Sequence, residues 1–210
     1  MSMNKLLISF AMLLIIQSGW GFVIDGNLDD WKKIEPVVVL DKPEQRAESP
    51  GNWQGIYDLS AKIYLAEDSD NIYITADVRD DKPLWDPRKP VIQAGWWKIT
   101  YDGDALRVNI TASGAITDLL LIPGAFGIKP EIYIYKSANL KSGKLVEGEI
   151  VSSYAEKYSG YILEAKLPKS ILGGSMESSK FVFELYDNDG PPTSCKSLKS
   201  KAVSIPVKKK

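Results

Sequence analysis

The sequence predicts an all-β fold: an antiparallel two-sheet β-sandwich, immunoglobulin-like or jelly-roll-like, with few or no helices beyond a leader. Three observations point to it. Apolar residues recur mostly at period two, the spacing that sends alternate side chains to opposite faces of a strand. Turn-forming residues interrupt these runs at intervals of about 8 to 12 residues, which favours antiparallel neighbours. Helical periodicity is scarce between the runs, so the crossovers of a parallel sheet have no material.

In chain order the leader comes first. Lys5 precedes the apolar run 6–16, and Gln17, Ser18, Gly19, Trp20 and Gly21 follow it. An 11-residue run is too short to span a bilayer, and Gly19 and Gly21 supply small residues where a signal peptidase cuts. Residues 1–21 therefore read as a secretory signal peptide and 22–210 as a single β-sandwich domain. The expected location is secreted, extracellular or periplasmic, with no membrane attachment after cleavage.

A short strand is expected at 36–40. Strands at 61–66 and 71–78 flank the turn Asp68, Ser69, Asp70, Asn71; in the second, Ile72, Ile74, Ala76 and Val78 alternate with Tyr73, Thr75 and Asp77. Asp102 and Gly103 form a tight turn before a strand at 105–110, where Leu106, Val108 and Ile110 alternate with Arg107 and Asn109. Strands at 116–122, 131–135 and 145–151 follow. At 161–167, Tyr161, Leu163, Ala165 and Leu167 oppose Ile162, Glu164 and Lys166, and 168–172 has room for one helical turn. The series ends with 181–185 and 202–207. Long loops at 41–58 and 80–95 are rich in Pro and Gly and carry aromatic residues, and loops are where binding groups gather.

Composition narrows the chemistry. Lys and Arg number 26 against 27 Asp and Glu, a net charge of -1, which leaves no basic face for nucleic acid. The absence of His removes Ser-His-Asp and Cys-His catalysis and His-ligated zinc. Leader removal leaves Met176 as the remaining Met, too little for a haem axial pair without His. Cys195 is the single cysteine, so an internal disulfide is excluded and a free thiol expected. A glycosidase needs only two carboxylates about 5 to 9.5 Å apart, but no motif locates such a pair. A non-catalytic chain is the reading that remains.

Several segments carry a family likeness. The opening Ile24-Asp25-Gly26-Asn27-Leu28-Asp29-Asp30-Trp31 resembles the start of family 9 carbohydrate-binding modules. Residues 61–66 and then 71–81, ending in Val78-Arg79-Asp80-Asp81, look like that family's strand pair closing on Val-x-Asp-Asp. Gly103 to Val108 is similar to its Asp-led central strand, residues 160–168 to its Gly-Tyr-x-x-Glu-x-x-Ile-Pro element, and 181–189 to the strand closing on Asp-Asn-Asp. The resemblance spans residues 24–189. It implies a sandwich that binds sugars without cleaving them, often with structural calcium. Trp31 and Glu164 read as structural, Trp31 closing the bottom of the sandwich and Glu164 as a buried hydrogen-bonding group.

Pyranose rings present apolar C–H faces to flat aromatic surfaces, while polar side chains take their hydroxyls. The candidates are Trp53 and Tyr57 in the first loop, Trp85 in the second, and the adjacent Trp96 and Trp97, with Gln54, Arg79, Gln93 and Lys98 as polar partners. The resemblance adds Tyr101 and Arg107, which stand where the family's sugar-binding members carry a stacking Trp and an acceptor Glu. Tyr can stack; Arg offers donors only, a bias toward acidic sugars. The family's second Trp, near the chain end, has no aromatic counterpart after Asp189. Asp25, Asp80, Asp81, Asp187 and Asp189, at strand ends, are the candidate calcium ligands, since calcium takes 6 to 8 oxygens. The expected function is an exported carbohydrate-binding module that holds polysaccharide or oligosaccharide through loop aromatics, with a neighbouring glycoside hydrolase or a surface protein as protein partner. The alternative is an envelope or surface β-sandwich that mediates protein contacts, with its aromatics buried and no cleft.

Overall fold

The computed structural model describes residues 21–47, 52–87, 91–92, 99–137, 148–157, 159–172, 176, 178–189 and 196–206. Its strands are β1 (Val38–Leu40), β2 (Leu59–Glu67), β3 (Asn71–Asp80), β4 (Val91–Ile92), β5 (Ile99–Thr100), β6 (Ala105–Ala112), β7 (Ala115–Ile122), β8 (Glu131–Ser137), β9 (Glu149–Tyr154), β10 (Gly160–Pro168), β11 (Lys180–Asp187) and β12 (Lys196–Lys199). Two five-stranded antiparallel sheets form, ordered β1-β2-β3-β10-β9 and β12-β11-β6-β7-β8, with β4 and β5 as a separate pair. This is the all-β sandwich expected from the alternation. The described residues contain only short 3-10 turns besides, at Asp29–Trp31, Pro43–Gln45 and Lys169–Leu172.

Period-two patterning decides which residues meet. Ile72, Ile74, Ala76 and Val78 of β3 and Tyr161, Leu163, Ala165 and Leu167 of β10 face the second sheet, where Leu106, Val108, Ile110, Phe181 and Phe183 complete one buried cluster. Each Val, Leu, Ile or Phe among them contributes about 1.5–3 kcal/mol by leaving water, and the alanines less. The outer face of the first sheet has two halves. One is covered by residues 22–34: Trp31, Phe22, Ile24 and Ile34 pack on Tyr64, Ala66 and Tyr73. Glu164 pins that cover, accepting from Trp31 Nε1 at 2.8 Å, Gly26 N at 2.7 Å, Asp25 N at 3.0 Å and Thr75 Oγ1 at 3.4 Å. Trp31 is thus structural, but it seals a sheet face rather than the bottom of the sandwich. The other half of that face is left uncovered by the described residues.

The chain end departs from the expected pattern. Of the strand expected at 202–207, the described residues 202–206 supply one bridge, Val203 opposite Phe181, while the last described strand is β12. Pairing of Asp187 with Lys196 and Leu185 with Leu198 fixes that strand. Leu198 is its one core residue, so no alternation announced it. The pair β4 and β5 falls around what the sequence presents as a plain loop. Cys195 lies outside the described residues.

Candidate functional site

Three strands deliver a carboxylate to one end of the sandwich. β3 ends in Asp80, β11 ends in Asp187, and Asp104 stands just before β6. All three are 0% exposed, and a carboxylate oxygen from each lies within 4.8 Å of the others. Backbone donors satisfy part of this set. Asp104 accepts from Leu84 N at 2.7 Å and Asn188 N at 3.0 Å, and Asp80 Oδ1 accepts from Lys82 N at 2.8 Å. Among the described residues, Asp80 Oδ2, Asp187 Oδ1 and the neighbouring Asn188 Oδ1 are buried without a hydrogen-bond partner.

Leaving buried acceptors unpaired is costly, and three clustered carboxylates cannot all ionise cheaply out of water. Burial, reinforced by mutual repulsion, pushes Asp80 up to about 6 and Asp187 up to about 8, and lifts Asp104 well above the carboxylate range. The Tyr161 hydroxyl is buried beside them, also without a partner among the described residues, and burial with the surrounding aspartates raises it. A hard cation that takes oxygen ligands would resolve all these deficits, so the donor set fits calcium.

A second acidic group adjoins the first. Asp58, Asp81 and Asp189 also bring carboxylate oxygens within 4.8 Å of one another. Here Lys196, the buried first residue of β12, places Nζ 2.5 Å from Asp58 Oδ1, 2.6 Å from Asp189 Oδ2 and 3.3 Å from Asp187 Oδ2. Burial works against its ammonium, but the hydrogen bonds to Asp189 and Asp58 outweigh it and hold the group above an ordinary lysine.

Of the five aspartates expected as ligands, Asp80, Asp81, Asp187 and Asp189 are brought together. Asp25 is not: its side chain is exposed at the other end of the first sheet's cover, where Oδ1 accepts from Asn27 N. Asp104, Asp58 and Asn188 join instead. Asp104 leads the central strand in the sequence, so its position was visible; its two partners come from strands 24 and 83 residues away. Nothing in the local pattern joins them.

The aromatic candidates separate by environment. Trp53 packs against the core and donates Nε1 to the Leu59 carbonyl at 2.7 Å; Trp85 packs there too, edge-on to Tyr161 at 5.2 Å between centroids. Tyr101 is half-buried beside Ala105, Leu120, Ile122 and Tyr133, with its hydroxyl on the Asp86 carbonyl. Arg107 is committed to Asp118, which accepts from its Nε at 2.9 Å and its Nη2 at 2.5 Å, with Glu184 3.8 Å from Nη1. Trp96 and Trp97 lie outside the described residues, as do Gln93 and Lys98.

Tyr57 differs from the others, being 73% exposed. The Arg79 guanidinium sits over its ring at 5.1 Å, and beside it the open half of the first sheet holds a cleft of about 270 Å³. Asp41, Ile56, Lys62, Asp77 and Arg79 line this cleft. Among the described residues, the buried Asp41 Oδ1 has no hydrogen-bond partner. Residues 52–58 are tied to the acidic end, because Asp58 Oδ2 accepts from Gln54 N at 2.7 Å while its other oxygen meets Lys196. Sequence reading gave no reason to rank Tyr57 above the tryptophans. Another exposed ring, Phe126, which is 83% exposed and 5.8 Å from Tyr154, was missed because it stands alone in a turn.

Comparison with known proteins places this geometry in context. Residues 24–203 match the model of the family described as carbohydrate family 9 binding domain-like. The fold is similar to that of a family 9 carbohydrate-binding module from Caldicellulosiruptor kristjanssonii in complex with cellotriose, with a TM-score of 0.52 and 15% identity over 85% of this chain and 79% of that one. Its complex with glucose gives a TM-score of 0.53 at 15% identity, covering 85% of this chain and 81% of that one. No curated protein sequence matches the chain.

Proposed function

The chain belongs to the carbohydrate family 9 binding domain-like family, and from that membership we propose that it is an exported, non-catalytic carbohydrate-binding module. The observation that carries the binding reading is the cleft beside Tyr57. Beside an exposed ring braced by Arg79, it is lined by charged groups of both signs, Asp41, Lys62, Asp77 and Arg79. The ring offers a surface for the C–H face of a sugar, and Asp41, Asp77 and Lys62 offer acceptors and donors for its hydroxyls. The half-buried Trp53, bonded to the Leu59 carbonyl, supports the loop that carries Ile56 and Tyr57. The glucose and cellotriose held by the compared modules make β-glucans the first ligands to try.

A structural calcium ion belongs to this reading. Asp80, Asp104 and Asp187, with Asn188 Oδ1, are the oxygens that would hold it, and its role is to neutralise buried charge and lock three strand ends together. Export rests on the leader 1–21, which would place the protein outside the cell or in the periplasm, where a neighbouring glycoside hydrolase could share its substrate. The rival reading, a surface protein for protein contacts, is served less well by a polar cleft than by an apolar patch.

Calorimetric titration with glucose and cello-oligosaccharides tests the sugar claim. Tyr57→Ala is expected to weaken binding tenfold or more while leaving the thermal midpoint unchanged. Failure of every sugar to bind, or binding indifferent to Tyr57→Ala and Arg79→Ala, would remove the cleft from the account. For calcium, a ligand of the folded state must raise the thermal midpoint and a chelator must lower it.

A further inference from the structure

Two acidic groups lie side by side at one end of the sandwich, and they are compensated differently. At Asp58, Asp81 and Asp189 the protein supplies its own cation. Lys196 Nζ carries three protons and meets three carboxylates, Asp58, Asp189 and Asp187, at 2.5, 2.6 and 3.3 Å. Asp80 and Asp104 receive backbone N–H groups, from Lys82, Leu84 and Asn188, and among the described residues Asp80 Oδ2 and Asp187 Oδ1 have no hydrogen-bond partner. Asp187 and Asp189 share one habit: each gives Oδ2 to the ammonium and, among the described residues, keeps Oδ1 without a partner. They divide their two oxygens between a fixed positive charge and an unmet need for another.

We propose that Lys196 is a built-in occupant standing where a second divalent cation would sit. One cation, calcium, then binds at Asp80, Asp104, Asp187 and Asn188, and removing the ammonium opens a second site at Asp58, Asp81 and Asp189. The inference rests on the calcium reading above. Its physical basis is mutual exclusion. An ammonium and a divalent ion that need the same oxygens of Asp58 and Asp189 cannot both be accommodated, because like charges at such separations repel strongly away from water. β12 thereby replaces a metal by a strand-borne charge, and the pairing of Asp187 with Lys196 in the ladder holds that charge in register.

Native mass spectrometry and calorimetry with calcium chloride on the whole purified chain decide the matter. The unaltered protein is expected to bind one calcium and Lys196→Met two, the added one weaker. Two ions on the unaltered protein, or one on it and still one on a folded Lys196→Met, would overturn the proposal. No ion on the unaltered protein but one on Lys196→Met would sink the buried calcium site and leave the exchange at Lys196 standing; none on either ends both. Should Lys196→Met not fold even with calcium, the arms Asp104→Asn and Asp81→Asn decide. The first is expected to abolish binding and the second to leave affinity within twofold, whereas a tenfold loss on Asp81→Asn would overturn the division into two sites.

Discussion

Glu164 is fully buried, yet one carboxylate there receives two backbone N–H groups, an indole N–H and a threonine hydroxyl. Glu164→Ala strands three N–H donors in the interior and is expected to cost about 3–5 kcal/mol, while Trp31→Phe, which loses one hydrogen bond and some area, should cost about 1–2 kcal/mol. Denaturant midpoints at constant slope would check both. Asp80 and Asp187 carry the opposite kind of burial, with acceptors unmet. Their folded-state values, about 6 and about 8, lie above the usual carboxylate value of about 3.9. Between the unfolded and folded values the folded chain holds protons that the unfolded chain has released. Without calcium, the stability these groups allow is therefore full below about pH 4 and drains as pH rises through 6 and 8. Calcium takes the place of those protons, so its increment in thermal midpoint should grow from about pH 5 to about pH 8. Paired melts in calcium and in chelator measure it, and an increment constant with pH would contradict it. At this scale the sequence was legible for Trp31 and Glu164, which stand in recognisable motifs. It was not legible for Asp104 as a ligand, because a carboxylate becomes one only through neighbours delivered by other strands.

Strand ends decide the chemistry at the next scale. β3, β6 and β11 were readable because each alternates an apolar face with a polar one, and their boundaries fall where the carboxylates begin. β12 was not, because its Lys-Ser-Leu-Lys has one core residue and gains its place from a ladder and a buried ion pair. Residues 202–206 mimic a strand through Val203 and Ile205, which pack as half-buried cover over the core edge. Gly160 opens β10 at the acidic end, with φ of 132°, and a Cβ there would meet the Val78 carbonyl oxygen at 2.1 Å. Gly160→Ala combines a left-handed backbone with a backbone clash and should destabilise by about 2–4 kcal/mol. If calcium locks the same strand ends, part of that loss should return on adding it. A thermal midpoint as high as that of the unaltered protein would show that the backbone can yield here.

For the molecule as a whole, one outer face was divisible in advance only in part. The fold class followed from alternation and turn spacing, but no pattern stated that residues 22–34 would cover half of the first sheet and leave the half beside Tyr57 open. That asymmetry arises from contacts across the length of the chain: the donors at residues 25, 26 and 31 reach an acceptor 139, 138 and 133 residues later. A ribosome adding about 5–20 residues per second needs roughly 7 to 30 seconds to reach that acceptor. Residues 22–34 are thus made well before their acceptor and cannot settle until β10 exists. Contacts made after the rate-limiting step slow unfolding without hastening folding. Stopped-flow measurements should accordingly find that Trp31→Phe raises the unfolding rate and leaves the refolding rate nearly unchanged. The cover over the first sheet would then act as a latch closed from behind, giving the assembled protein a longer lifetime than its speed of assembly implies.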